Sequence, residues 1–277
     1  MDDREQLKSE FILLSEQRQL STFFSRLTTR LPEVSESKLM SCFIVISALM
    51  DEWNLNGQES KLYETHNALS FVEKSLVAVP EMDKRVVLIK KLFNSTKSIY
   101  FLTDFVFHIK ISIDNRYSRP EPCIDEKSFT EIVSLAEDKI LIVVNNPKFQ
   151  KFSKWRDVLY HWAAFAPESA RLWFLEWIEN PQNLLRYLKS LLPDMNEEHA
   201  EIFYPSQPVE IARRINDYLD FAPVADLDSA IRAVDSNKLS AEDAQVLEWG
   251  KQAVALMLKG NKPTIEDSSD ASTEDNL

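Results

Sequence analysis

The residues of this chain best equipped for chemistry are four histidines, two cysteines and six tryptophans. His66, His108, His161 and His199 are scattered, and no two stand within a helical turn of each other, the spacing that HExxH or paired metal ligands require. His108, in an apolar stretch, and His161, beside Trp162, read as hydrogen-bonded helix-face residues; His199 follows Glu197 and Glu198 in a polar loop. Cys42 and Cys123 are far apart, which fits reduced thiols and neither a disulfide framework nor a zinc site. The carboxylate pairs Glu137–Asp138 and Asp226–Asp228 read as a solvated face and a helix start. A Ser–His–Asp or Cys–His set assembled only in space stays open, although no GxSxG elbow supports one.

Phosphate chemistry is decided by glycine. Only Gly57, Gly250 and Gly260 occur, against an average of about 7%. A P-loop needs two glycines five apart followed by Lys and Ser/Thr, so that backbone N–H groups wrap the phosphates. Five residues after the three glycines stand Leu62, Ala255 and Ile265. There is no P-loop here, a GxGxxG fingerprint fails on the same count, and no cofactor is expected.

The tryptophans pose the opposite question, because Trp155, Trp162, Trp173 and Trp177 crowd into KWRDVLYHWAAFAPESARLWFLEW, residues 154–177. A stacking platform would display rings among basic residues. Here Trp155, Val158, Leu159 and Trp162 follow i, i+3, i+4, i+7, as do Ala170, Trp173, Phe174 and Trp177. After Pro181, Leu184, Leu185, Leu188 and Leu191 keep the same register, so three short helices are expected to aim large side chains at a common seam. The rings read as core.

Charge is uneven. The net charge is −12, yet residues 61–120 carry ten basic and six acidic side chains, a balance of +4, leaving −16 for the rest. Such a global field repels polyphosphate but leaves room for a local basic surface. Candidate partner-binding residues are therefore Lys84, Arg85 and Lys91 in one helix, and Lys148, Lys151, Lys154 and Arg156 in PKFQKFSKWRD, interleaved with Phe149, Phe152 and Trp155. The second group could contact phosphates and stack bases, or form a helix entry with solvated lysines. The acidic whole favours the helix entry and disfavours nucleic acid as partner.

The elements that must position these residues all read as helices. Apolar stripes mark 16–31, 63–79, 81–95, 97–114, 151–166, 168–179, 181–192, 208–221, 226–235 and 240–259, and KLMSCFIVISALMDEW at 38–53 is apolar on nearly every side, hence central. Asp125 is placed to cap a helix from 126 to about 145, whose end KILIVVNN could equally be a strand. Helix wins because no second strand-like run exists to pair with it. The expectation is an all-α fold, an irregular solenoid-like array of antiparallel helical hairpins with about 11–13 helices. It covers residues 1–261, with a candidate internal boundary at the proline pair near 116–124. Residues 262–277, acidic and with little to bury, are expected to be a disordered tail. The N-terminus MDDREQLKSE lacks the character of a signal peptide, and no apolar run reaches the ~18 residues of a membrane span. A cytoplasmic location is expected.

Residues 18–258 resemble the C-terminal helical region of KAP-type P-loop NTPases. The resemblance is carried by DVLYHWAAFAPESARLWFLEWIENPQNLLRYLKSLLP at 157–193, which runs from a Tyr160–x–Trp162 helix through a Trp-containing helix to an LLRYL helix. FVEKSLVAVPEMDKRVVLIKKLFNSTKSIYFLTDFV at 71–106 and FAPVADLDSAIRAVDSNKLSAEDAQVLEWGKQAV at 221–254 are also similar. The family's ATP site lies in an N-terminal domain whose glycine loop has no counterpart here, so no catalytic residue carries over. What the resemblance implies is a non-catalytic helical interaction, sensor or regulatory module tied to an NTPase domain in cis or trans. Since bacterial members of the family are often plasmid- or phage-associated, it also implies a phage-defence context by analogy. The competing expectations are a nucleic-acid-binding helical scaffold using the local basic surface and an enzyme whose site assembles only in space.

Overall fold

The computed structural model describes residues 3–16, 22–23, 26, 36–55, 62–96, 98–114, 122–146, 149, 155–192, 207–218 and 223–259. Among them are twelve α-helices and no strand, so the protein is all-α. The expected helix at 16–31, the stretch 148–154 and the tail 262–277 lie wholly or mostly outside the described residues. The chain divides into two compact units, Met1–Pro167 and Glu168–Leu277.

The first unit comprises α1 (Asp3–Glu16), α2 (Glu36–Leu55), α3 (Leu62–Val77), α4 (Met82–Ser95), α5 (Ile99–Asp114), α6 (Glu126–Val144) and α7 (Trp155–Phe165). Its centre is α5, which packs against α2, α3, α6 and α7. The sequence dictates this: residues 100–106, YFLTDFV, are buried without a break, and a helix apolar on all sides must be enclosed. The equally apolar α2 packs against α1, α3, α4 and α5, burying Cys42, Phe43, Ile46 and Leu49.

Asp125 caps α6 as its position implies, accepting from the Ser128 amide at 2.8 Å. The β-branched run ILIVV stays helical to Val144 because Phe129, Ile132, Ala136, Ile140 and Val144 form one buried stripe at helical spacing. α5 and α6, which flank the proline-containing link, pack together in one unit. The division falls instead after Pro167.

The second unit comprises α8 (Pro167–Ile178), α9 (Pro181–Ser190), α10 (Gln207–Tyr218), α11 (Val224–Ala233), a 3-10 turn (Ser236–Lys238) and α12 (Ala241–Leu258). Pro181 opens α9 behind the Asn180 cap, whose side chain accepts from Gln182 N at 2.9 Å. Its central helix is α12, against which α9, α10 and α11 pack. Gly250 makes the close approach to α9 possible: a Cβ there would stand 2.8 Å from Leu188 Cδ1 and 3.5 Å from Ile231 Cδ1. Only hydrogen fits without displacing Leu188.

The two units separate the tryptophans. Trp155 and Trp162 are buried on α7, which packs against α5, while Trp173 and Trp177 stack in parallel on α8 with centroids 5.6 Å apart. The core reading holds for Trp155, Trp162 and Trp173. Within its own unit α7 turns apolar residues toward α5, to which no local pattern points.

Candidate functional site

Asp104 and His108 sit one turn apart on α5, and α7 brings His161 to the same place. Asp104 Oδ1 lies 3.8 Å from His108 Nε2 and 3.6 Å from His161 Nε2. Both distances exceed a hydrogen bond, so the contacts are electrostatic. Asp104 is only 7% exposed. Burial, reinforced by the Asp157 and Glu73 carboxylates, raises its pKa to about 7. Burial likewise lowers His161 to about 3, helped by neighbouring His108. The imidazole is stacked on Phe107 at 4.8 Å, with Tyr100 and Tyr160 each at 5.9 Å, and its Nδ1 is buried without a hydrogen-bond partner. The sequence reading anticipated hydrogen-bonded helix-face histidines. For His161 the structure gives a stacked, desolvated ring beside an acid.

This cluster could exchange a proton, but a nucleophile would be needed for acyl or phosphoryl transfer. Thr103, next to Asp104, donates its hydroxyl to Ile99 O and Tyr100 O, both at 3.1 Å. The two thiols are buried, and burial pushes Cys42 up to about 11 and Cys123 up to about 12, so both stay protonated at neutral pH. Among the described residues no group of three or more His, Cys, Asp or Glu is placed to hold a metal ion.

The basic candidates separate sharply. Lys84 and Lys91 are exposed on α4, where Lys84 pairs with Glu81 at 2.5 Å. Between them at i+3 stands Val87, 47% exposed. Arg85 is a correction: it is 6% exposed and cannot face a partner. The register that puts it in line with Leu88, Ile89 and Leu92 turns it inward, and three carbonyls satisfy its guanidinium. Nε donates to Val79 O at 2.6 Å, Nη2 to Val77 O at 3.1 Å and Nη1 to Cys123 O at 3.2 Å. It thereby caps the C-terminal end of α3, where carbonyls lack intrahelical partners. Arg156 is half-buried at the start of α7. Lys148, Lys151 and Lys154 lie outside the described residues.

Two further features were not read from sequence. A cavity of about 290 Å3 opens where the end of α4, the start of α5 and the end of α6 meet. In the second unit, the Glu210 carboxylate is buried under Arg213 and Arg214. The i, i+3, i+4 spacing of Glu210, Arg213 and Arg214 was a signal available for the second; nothing local announces the cavity.

No helix among the described residues is long and apolar enough to cross a membrane. Comparison of the chain with protein-family models, with curated proteins and with solved structures finds no match in any of the three.

Proposed function

We propose that the chain is a cytoplasmic, non-catalytic helical module that binds an acidic protein partner through the outer face of α4. It would act as a sensor, regulatory or assembly element of a KAP-type NTPase, in cis or in trans, in phage defence. The observation that supports the partner face is the stripe Lys84–Val87–Lys91 at i, i+3, i+7. The inner positions Arg85, Val86, Leu88, Ile89, Leu92 and Phe93 are all buried. An exposed valine gains nothing for an isolated helix, since its β-branch restricts χ1. Flanked by two cations, it offers an apolar contact inside a charge pattern that an acidic surface complements. The Glu81–Lys84 pair is no obstacle, because exposed ion pairs are worth only about 0–1 kcal/mol and exchange readily.

The link to an NTPase rests on the residues of 18–258 that resemble that family's helical region, and on nothing else. Nucleic acid is the weaker partner. Arg85 is turned inward onto carbonyls, Lys90 pairs with Glu131 and Lys110 with Asp114, so these three of the segment's ten cations are engaged within the fold.

The test is a pull-down from the native host with the wild-type chain and with Lys84→Glu/Lys91→Glu, beside circular-dichroism melts of both. The expected result is loss of an acidic partner with an unchanged melt. An identical partner list would reduce this face to a solubilising surface. Retention of nucleic acid, weakening steeply with salt, would replace the protein partner by the nucleic-acid reading. The purified chain should neither bind nor hydrolyse ATP, and saturable nucleotide binding at micromolar concentration would overturn the non-catalytic reading.

A further inference from the structure

Lys139 is a cation in an apolar setting, without a carboxylate among the described residues to balance it. It projects from α6, half-buried, and its ammonium donates to the carbonyl of Phe93 near the end of α4. Burial alone lowers its pKa, and no ion pair engages it among the described residues. Every other lysine whose ammonium bond is described above is held by a carboxylate. A desolvated ammonium bound only to a neutral carbonyl retains two N–H donors and an uncompensated charge, which favours an anion.

The same lysine lines the cavity of about 290 Å3, together with Ile99 and Leu102 of α5, Ile142 and Val143 of α6, and the cap residue Ser98. Ser98 accepts from Phe101 N at 3.2 Å, so the cavity borders the N-terminal end of α5. That end carries about half a positive charge. Among the described residues no acidic side chain lines the cavity. Ile142, 75% exposed at its edge, is the most exposed large apolar side chain among those described.

We infer that this recess binds a small aliphatic carboxylate. The ammonium and the helix end attract an anion, and the apolar lining disfavours a strongly hydrated phosphate, whose desolvation is costlier than that of a carboxylate. The four aliphatic walls require an apolar body, since a bare ion would leave them wet. The volume stands at the lower edge of the about 300–1,000 Å3 typical of small-molecule sites, so the chain is short. None of Lys84, Val87 and Lys91 lines the recess, and the site stands independently of the partner face.

The test is calorimetric titration of the full chain with octanoate, octylamine, octanol and inorganic phosphate. Octanoate is expected to bind saturably, with a dissociation constant of about 1 mM or tighter. Octylamine should bind at least about tenfold more weakly, and phosphate should not compete. Lys139→Met should weaken octanoate about tenfold while sparing octanol. Because that change also removes the bond to Phe93, Ile142→Glu serves as the second variant. It lies on the exposed rim, cannot disturb the core, and should weaken octanoate while strengthening octylamine. Equal binding of octanoate and octylamine, no saturable octanoate binding below about 10 mM, or octanoate affinity unchanged in both variants would each overturn the assignment. Phosphate displacing octanoate would replace it with a bare-anion site.

Discussion

The two units each bury a carboxylate, and they treat it in opposite ways. Glu210 in the second unit is 3% exposed, yet Arg213 Nη2 and Arg214 Nε reach its Oε1 at 2.7 Å and Arg213 Nε reaches Oε2 at 3.0 Å. Those hydrogen bonds, Arg213's foremost, hold its pKa below the usual carboxylate range despite burial. Asp104 in the first unit has two imidazoles beyond hydrogen-bond distance and the Asp157 and Glu73 carboxylates around it, and its pKa rises to about 7. Exposure is similarly low, but Asp104 lies deep, whereas Glu210 lies shallow beneath its own two arginines. The difference shows that low exposure alone does not fix the charge of an acid: Glu210 is held ionised by donors that reach and cover it, while Asp104 is left to the desolvation penalty.

The sharpest way to break the contrast is to remove the donors from Glu210. Arg213→Met with Arg214→Met should cost about 1–3 kcal/mol at pH 7, the range for leaving an acceptor without its donors, since the carboxylate is shallow and Arg213 is itself partly exposed. Arg214 also donates to Leu192 O at 3.3 Å, so that carbonyl is lost with it. The wild-type contribution has a definite sign: a depressed folded pKa stabilises above the unfolded value, near 4.5, and is lost as pH falls through the folded value. The variant's deficit should therefore shrink on acidification. A deficit independent of pH would mean the arginines act by packing alone.

Asp104 carries the opposite sign. A folded pKa raised from 3.8 to about 7 means the protonated acid is favoured, with its stabilisation complete below pH 3.8 and lost as pH rises through about 7. Asp104→Asn keeps the shape and removes the titration. It should raise stability at pH 8 by about 2–3 kcal/mol relative to its effect at pH 4, discounted from the full shift for the neighbouring imidazoles. Urea melts at the two pH values measure it. If the difference is absent or reversed, Asp104 is ionised and paired with an imidazolium, and the contrast with Glu210 collapses.

His161 decides between those states more finely. As a neutral ring stacked on Phe107, it is replaceable by another ring, so His161→Phe should change stability by less than about 1 kcal/mol, with the buried, unpartnered Nδ1 removed as compensation for slight overpacking. A loss above about 3 kcal/mol would show a charged His161 holding Asp104, the cost expected when one member of a buried ion pair is removed.

How much of this was legible in sequence follows the range of each cause. The helices were readable because their causes are local: the Asp125 cap, prolines at first-turn positions 167 and 181, glycine scarcity, and stripes such as Phe129–Ile132–Ala136–Ile140. α1 was missed because its sequence, DREQLKSEFILLSE, is mostly polar, and Phe11 is buried by tertiary packing, with α1 against α2 and the ring against Phe23 at 5.4 Å. Arg85 was misplaced because a helical wheel puts it on a flank, whereas the acceptors that pull it inward come from Val77, Val79 and Cys123. The Asp104–His161 approach, the recess beside Lys139 and the separation of the tryptophans all depend on which helices meet. Periodicity is blind to that.

The smallest effect on stability is expected where charge is most exposed. If partners and solvent set the value of a charge, then Lys84 and Lys91, both on the solvent face of α4, should contribute almost nothing to folding. Lys84→Glu/Lys91→Glu should shift stability by no more than about 0.5 kcal/mol, the usual range for surface substitutions. Lys84→Glu places a carboxylate three residues from Glu81 and replaces an attraction with a weak repulsion, which sets the direction as slightly destabilising. Salt should erase the difference, because exposed charges are screened over about 8–10 Å at ordinary ionic strength, whereas the Asp104 and Glu210 effects should persist. Melts of the variant in low and high salt measure both. A salt-insensitive loss of several kcal/mol would mean this face is packed rather than solvated, and the outer side of α4 would then be part of the core it now flanks.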